Sequence, residues 1–510
     1  MTTSSPASPV AAPPLLIRAV SLPRLSRMDV VRRVSKASAS FTHHLAPTAA
    51  RVARHRPVAE RDVAAGLRKA FDELGGTFTK LGQLIGSAPS LVGEEVAAEF
   101  RGCLDAGAPV PFDQVRQAVE DDLGLPLGLL FRRFEEQPLA AASLAVVHEA
   151  ELPDGQRVAV KVLRPGIEAA MATDLAVMLP LFRFLGREIA VGVIGELPGL
   201  VSGLAEQVAE EVDLRNEARS ILWFDHLSST MGLDRVTVPL PIASHSGRRV
   251  LTMEFIDGVP VDDVTRIAEL GIDPAPLVQD TVKAWFAVAI CTGAFHGDIH
   301  AGNLLVTPDN RLAVLDWGIV GRLDLPTQRF FRRVIEGALG DESAWPDVWQ
   351  HAKAVYGDAF QRQLGLDDQQ MVAVARAQIE PLFIRPFGEI RLTDLIISAE
   401  SAGRHAAAAD GSAGPPTGAS PGGRGAGTGQ GRVARTRQGV SLWRSERRRR
   451  REHLASGAID SSFDRGMFLL SKQLVYFDRY GKLFLPDVPL MWDREAFRML
   501  LGEPATPTQV

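Results

Sequence analysis

The sequence predicts an α+β fold of two lobes, a small β-rich one followed by a larger helical one, with a helical extension ahead of both. Three observations predict it. Residues 138–162 read as strand, small-residue turn, strand, hairpin turn and strand, with one lysine, Lys161, inside the last apolar run. A polar loop, His296-Gly297-Asp298-Ile299-His300-Ala301-Gly302-Asn303, follows the apolar stretch from Trp285 to Phe295. Arg311-Leu312-Ala313-Val314-Leu315 then reads as a strand that delivers Asp316 into Asp316-Trp317-Gly318.

The bulk numbers allow this size of fold. A chain of 510 residues, 46% hydrophobic and 23% charged, can bury a large core and hold two lobes with tails. The net charge of -5 gives no argument for a nucleic-acid partner. Cys103 and Cys291 lie far apart without metal-ligand spacing and read as reduced packing residues. No uncharged apolar run reaches the length of a spanning helix.

Residues 1–59 hold nine Lys/Arg and one acid, Asp29, and are expected to form a disordered basic arm. Its arginines, among them Arg18, Arg24, Arg27, Arg32 and Arg33, suit contact with an anionic membrane surface. The expected location is the bacterial cytoplasm, with peripheral membrane contact as a further option. From about Arg61 the pattern is helical, with Phe71, Leu74, Phe78, Leu81 and Ile85 at spacings of three and four. Lys80 and Gln83 share a face, and Gly82 in mid-helix predicts a close neighbour. A solvated Lys and Gln on an amphipathic helix is the plainer alternative. The extension is taken as 60–135, with a helical stretch over 104–135.

The first lobe is taken as 136–257. Its loop Ala140 to Ser143 stands where glycines would let backbone N–H groups reach phosphates, and alanine gives less backbone freedom. Arg157-Val158-Ala159-Val160-Lys161-Val162 carries the candidate phosphate-binding lysine; an edge-strand lysine is the alternative. Residues 196–224 read as one long helix with the stripe Leu200, Leu204, Val208 and Val212. A glutamate must hold the lysine in place. Glu217 is the first choice and Glu211 the second. The strand Arg249 to Glu254 leads to a hinge, where backbone groups near Glu254 and Ile256 are candidates for binding adenine.

The second lobe, 258–400, holds the chemistry. An acid followed five residues later by an amide, and thirteen beyond that by a second acid, meets the needs of phosphoryl transfer. Asp298 reads as the acid that orients the hydroxyl, and Asn303 and Asp316 as hard oxygen ligands for Mg²⁺. With Lys161 and Glu217 these define a protein-kinase-like arrangement that uses ATP. Phe330, Phe331, Val334 and Ile335 are core candidates. Residues 401–452, rich in Gly, Ala and Arg, read as a flexible insert ending in the basic run Arg444 to Arg451. Residues 453–510 close the lobe, with a helix over 463–483.

Taken together, these residues resemble the UbiB/AarF family of atypical kinases, also called ADCK or Coq8-like. The likeness rests on Lys80-Leu81-Gly82-Gln83, the alanine loop with Val147-His148, Glu211-Val212-Asp213, Glu217-Ala218, the loop from His296 to Asn303, and Asp316. The resemblance implies a helical extension packed over the active site, with Lys80 pointing into the nucleotide site and engaging Glu211 and Asp213. It implies a nucleotide site lined by Lys80, Gln83, Ala141, Ala142, Ser143, Lys161, Glu211 and Asp213. The implied activity is ATP binding with slow hydrolysis or phosphorylation, in support of isoprenoid quinone or other lipid metabolism. The chain departs from the family pattern at Val146, Gly297, Ile299 and Trp317. A small-molecule phosphotransferase of the aminoglycoside or choline kinase type is the competing class. A catalytically dead scaffold is the third.

Overall fold

The computed structural model describes residues 17–18, 23, 25–54, 56, 58–87, 92–103, 109–188, 193–356, 361, 365–390 and 465–502. The extension is built from α1 (Arg27–Ala53), α2 (Glu60–Leu74), α3 (Thr77–Gly86) and α4 (Glu94–Phe100). The helical run from Phe71 to Ile85 is interrupted at Gly75 and Gly76, whose φ values of 63° and 57° only glycine adopts readily. Gly82 does have its close neighbour: a Cβ there would lie 2.7 Å from Cys103 Sγ.

The arm corrects one expectation. Within residues 1–59, the stretch Arg27–Ala53 is a helix. Its basic residues conceal an apolar stripe, Ala37, Phe41 and Leu45, at a spacing of four. Phe41 meets the rings of Phe71, Phe78 and Phe182 edge-on at 6.0–6.3 Å. Arg33 Nε donates to Asp174 Oδ1 at 2.5 Å, and Asp174 Oδ2 accepts from the Thr77 N–H at the start of α3.

The small lobe begins with α5 (Phe112–Leu123) and α6 (Leu127–Leu130), and the helical reading of 104–135 ends there, because β1 starts at Arg133. Strands β1 (Arg133–Ala141), β2 (Ala145–Glu151), β3 (Arg157–Leu163) and, further along the chain, β5 (Val250–Glu254) form an antiparallel sheet in the order β1-β2-β3-β5. The helices α7 (Ile167–Glu188), α8 (Val193–Glu211) and α9 (Leu214–Met231) follow. The single helix expected over 196–224 is therefore two. The break lies at Asp213, whose side chain caps α9 by accepting from the Arg215 N–H. The stripe Leu200, Leu204, Val208 and Val212 is fully buried against the extension.

Strand β4 (Val236–Thr237) precedes β5 (Val250–Glu254), which closes the first sheet. The large lobe carries β6 (Val259–Pro260), α10 (Val264–Glu269), α11 (Pro274–Thr292) and β7 (Ala294–His296). Strands β8 (Leu304–Val306) and β9 (Leu312–Val314) pair antiparallel in a sheet ordered β4-β9-β8-β6, and β10 (Val320–Arg322) pairs with β7. Then come α12 (Leu325–Ala338), α13 (Ala344–Tyr356), α14 (Asp368–Ile379), α15 (Pro381–Ile384), α16 (Arg465–Phe484) and α17 (Arg494–Leu500). Trp285 of α11 sits among Phe295, Phe331 and Phe477, so strand, helix and C-terminal helix converge on the centre of the lobe. Phe331, Val334 and Ile335 are buried there as expected, while Phe330 is half-buried. Among the described residues no helix is long and apolar enough to cross a membrane. The insert 401–452, with its basic run, lies outside the described residues.

Candidate functional site

Lys161 stands in β3 between two partners, opposite Val147 of β2 and Leu251 of β5. An interior strand removes the edge-lysine alternative. Period-two alternation buries Val158, Val160 and Val162 on one face and turns Lys161 to the other. There its ammonium meets Glu217 Oε1 at 2.8 Å, from the first turns of α9, and Asp316 Oδ2 at 3.0 Å, just after β9. Glu211, the second choice for this lysine, belongs to the other helix and pairs elsewhere. The Asp213 cap is what separates the two glutamates.

These three groups set each other's charge. Burial alone would push the Lys161 ammonium down, but the Asp316 and Glu217 carboxylates hold it above its ordinary value. Burial pushes the Glu217 carboxyl up to about 7, against the opposing pull of Lys161. Asp316 goes the other way: burial opposes it, yet Lys161 and the Gly318 N–H keep it well below the usual carboxylate range. Its side chain is 43% exposed against 3% for Glu217, so Asp316 is the solvent-facing, ionised member of the pair.

The catalytic loop is tied to that acid through His296. The ring is buried, and burial depresses its pKa to about 4. Neutral, it donates from Nε2 to the Asp316 carbonyl at 2.6 Å and accepts at Nδ1 from the Asp298 N–H at 3.1 Å. One side chain thus fixes Asp298 relative to Asp316. Asn303 donates from Nδ2 to the Asp298 carbonyl, which leaves Oδ1 as its ligand atom. Trp317 is wholly buried between Phe224 and His296, with its indole N–H on the Val314 carbonyl.

Other expected residues are placed as follows. Lys80 pairs with Glu211 Oε2 at 2.8 Å, and Gln207 holds the other oxygen. Asp213 does not join them, because its carboxylate is spent on the backbone and guanidinium of Arg215. Gln83 is half-buried on α3 and makes no side-chain hydrogen bond within the described residues. Ala141 ends β1, and the Ala142 N–H closes the turn on the Ala145 carbonyl, so that amide is not available to a phosphate. Ser143 is half-buried in the turn itself. At the hinge, the Glu254 N–H is taken by the Leu240 carbonyl and its carboxylate by the Leu240 N–H, so only its carbonyl keeps the candidate role toward adenine. Ile256 lies beyond the last ladder pair and keeps the candidate role.

Two residues escaped the sequence reading. Lys472 Nζ lies 2.7 Å from Asp298 Oδ1, and Gln473 is completely buried beneath the loop. Gln473 donates to the Gly297 carbonyl and accepts from the Ile299 N–H. The signal was a polar residue on the stripe Leu469, Gln473, Phe477 and Tyr480 of α16, all of them buried.

Asn303 and Asp316 are the two residues whose oxygens would be the hard ligands of a metal ion. Among the described residues no group of three or more His, Cys, Asp and Glu is placed to hold a metal ion. Two protein oxygens beside a lysine fit a cation such as Mg²⁺ that completes its shell with phosphate and water. A β-rich lobe with a glutamate-held lysine, joined to a helical lobe with an Asp–Asn loop and a further acid, defines a kinase-like protein.

The comparisons with known proteins agree. Residues 103–344 match the ABC1 atypical kinase-like domain. An uncharacterized aarF domain-containing protein kinase of Arabidopsis thaliana, described as chloroplastic, is 32% identical over 84% of this chain and 73% of its own length. An uncharacterized protein of Mycobacterium tuberculosis is 36% identical over 55% of this chain, a match that spans 57% of the relative. A probable protein kinase UbiB of Xanthomonas campestris is 31% identical over 67% of this chain and 62% of its own length. The chain belongs to the ABC1 family of atypical kinase-like proteins, with the aarF-domain and UbiB proteins.

Proposed function

We propose that this chain binds Mg-ATP between its lobes and hydrolyses it or transfers its γ-phosphoryl group, in support of isoprenoid quinone or other lipid metabolism. The observation that carries the reading is Lys161 held between Glu217 and Asp316. Phosphoryl transfer demands little covalent chemistry of the protein and much positioning of charge. In this reading Lys161 grips phosphate oxygens, Asn303 and Asp316 hold the Mg²⁺, and Asp298 orients the attacking hydroxyl or water. The quinone and lipid side rests on the resemblance to the UbiB/AarF family. Weighing against a phosphotransferase of the aminoglycoside or choline kinase type is α3, which Lys80 joins to Glu211 at the end of α8.

The test is a thermal shift with Mg-ATP. At a hundredfold excess over Kd, ligand binding stabilises a folded protein by about 2.7 kcal/mol. Asp316→Asn removes the ionised ligand and is expected to abolish the shift. An unchanged shift in that variant overturns the metal assignment. Phosphate release, measured with and without anionic vesicles and quinone-precursor mimics, then tests the acceptor class.

A further inference from the structure

Asp298 carries a negative charge into a cleft that must receive a triphosphate. Asp316, tied to the same loop through His296, adds a second negative charge. Glu211 already holds Lys80, and Lys161 serves Glu217 and Asp316 together. Asp298 therefore needs a cation of its own. The loop does not supply one. His296 is neutral and spent on backbone groups, and the His300 ring lies against Gly302. Among the described residues, the one ion pair made by Asp298 is with Lys472, from α16, 174 residues further along the chain.

That lysine is placed with care. The next residue, Gln473, closes two hydrogen bonds on the backbone of the loop at 2.6 and 2.9 Å. Two helical turns later, the Tyr480 hydroxyl closes a third on the Ile299 carbonyl. The Lys472 side chain is only 17% exposed, and burying an ammonium is costly unless it has a charge to meet.

We propose that Lys472 is a further catalytic residue: it neutralises Asp298 in the free protein and contacts the γ-phosphate when Mg-ATP is bound. This rests on the Mg-ATP reading above. Asp298 and the γ-phosphate lie side by side in a kinase-like site, so one ammonium can bridge both. No bond is made or broken by Lys472; it offsets charge on the group being transferred.

The experiment is calorimetric titration of the full chain with Mg-ADP and with the Mg complex of the non-hydrolysable imido analogue of ATP. Wild type is expected to prefer the triphosphate. Lys472→Met should weaken triphosphate binding about tenfold to a hundredfold, the worth of a charged hydrogen bond, and leave ADP binding nearly unchanged. Lys472→Arg should keep part of the preference. The double variant Lys472→Met/Asp298→Asn strands no charge, and it should lose the preference that Asp298→Asn alone retains. Equal weakening of both nucleotides, or no change in either, overturns the proposal and leaves the Mg-ATP reading standing. A wild-type protein that binds neither nucleotide overturns both.

Discussion

At the residue scale, His296 couples the chemistry to acidity. Its buried ring has a pKa near 4, whereas an unfolded histidine titrates near 6.5. Between those values the unfolded chain binds a proton that the folded one refuses, so stability rises with pH across the window. In the nucleotide-free protein this group should make stability fall as pH drops from 6.5 towards 4, by about 3 kcal/mol in all. Urea unfolding at pH 7, 6 and 5 reads the slope. His296→Gln should lower stability at every pH, because it disturbs the links to Asp298 and Asp316, but with a flatter slope. A variant with the wild-type slope would show that the ring takes up its proton as readily in the fold as in the unfolded chain. The motif itself was legible, because Asp298, Asn303 and Asp316 are spaced by backbone geometry that sequence records. The tautomer bridge was not, since it depends on burial under Trp317, which is itself pressed onto His296 by Phe224 from a distant helix.

At the scale of elements, periodicity found most of the helices and all three strands around Lys161. It failed where a local feature overrode the stripe. The Gly75-Gly76 break, the Asp213 cap and the apolar face hidden in the basic arm are such places. Helix α7, apolar nearly all round from Met171 to Phe182, offered no stripe to read. Helix α16 was found, but not what it carries. Its seating depends on Gly481, where a Cβ would fall 2.1 Å from Phe387 Cγ, a ring that is itself buried. Gly481→Ala gains about 1 kcal/mol of helix propensity. The displaced ring should cost about 1–3 kcal/mol, and more if it cannot turn aside. The expected outcome is a lower urea midpoint together with weaker triphosphate binding, because Lys472 moves with its helix. A midpoint that rises would mean that Phe387 makes room freely and that the helix seat is loose.

At the scale of the whole molecule, the extension has its own core, formed with α7 and α8, and the large lobe has another; Leu84 packs against both. Charge links reinforce that seam. Glu210 at the end of α8 is shared by Arg322 of β10 and Arg465 of α16, while the Lys80 pair ties α3 to α8 within the first core. On the far side of the extension, Asp174 of α7 holds Arg33 of α1 and the first N–H of α3, that of Thr77. Its side chain is 7% exposed and that of Arg33 17%, so removing the acid strands a nearly buried guanidinium. Asp174→Ala should therefore destabilise the extension by about 3 kcal/mol. Hydrogen exchange can locate the effect. If the two cores open separately, protection falls in α1 to α3 and persists in β2 and β3, and nucleotide binding survives with Lys80 freed from Glu211. If protection falls uniformly, the seam is part of one cooperative unit, and the extension cannot swing away from the cleft without unfolding the lobes beneath it.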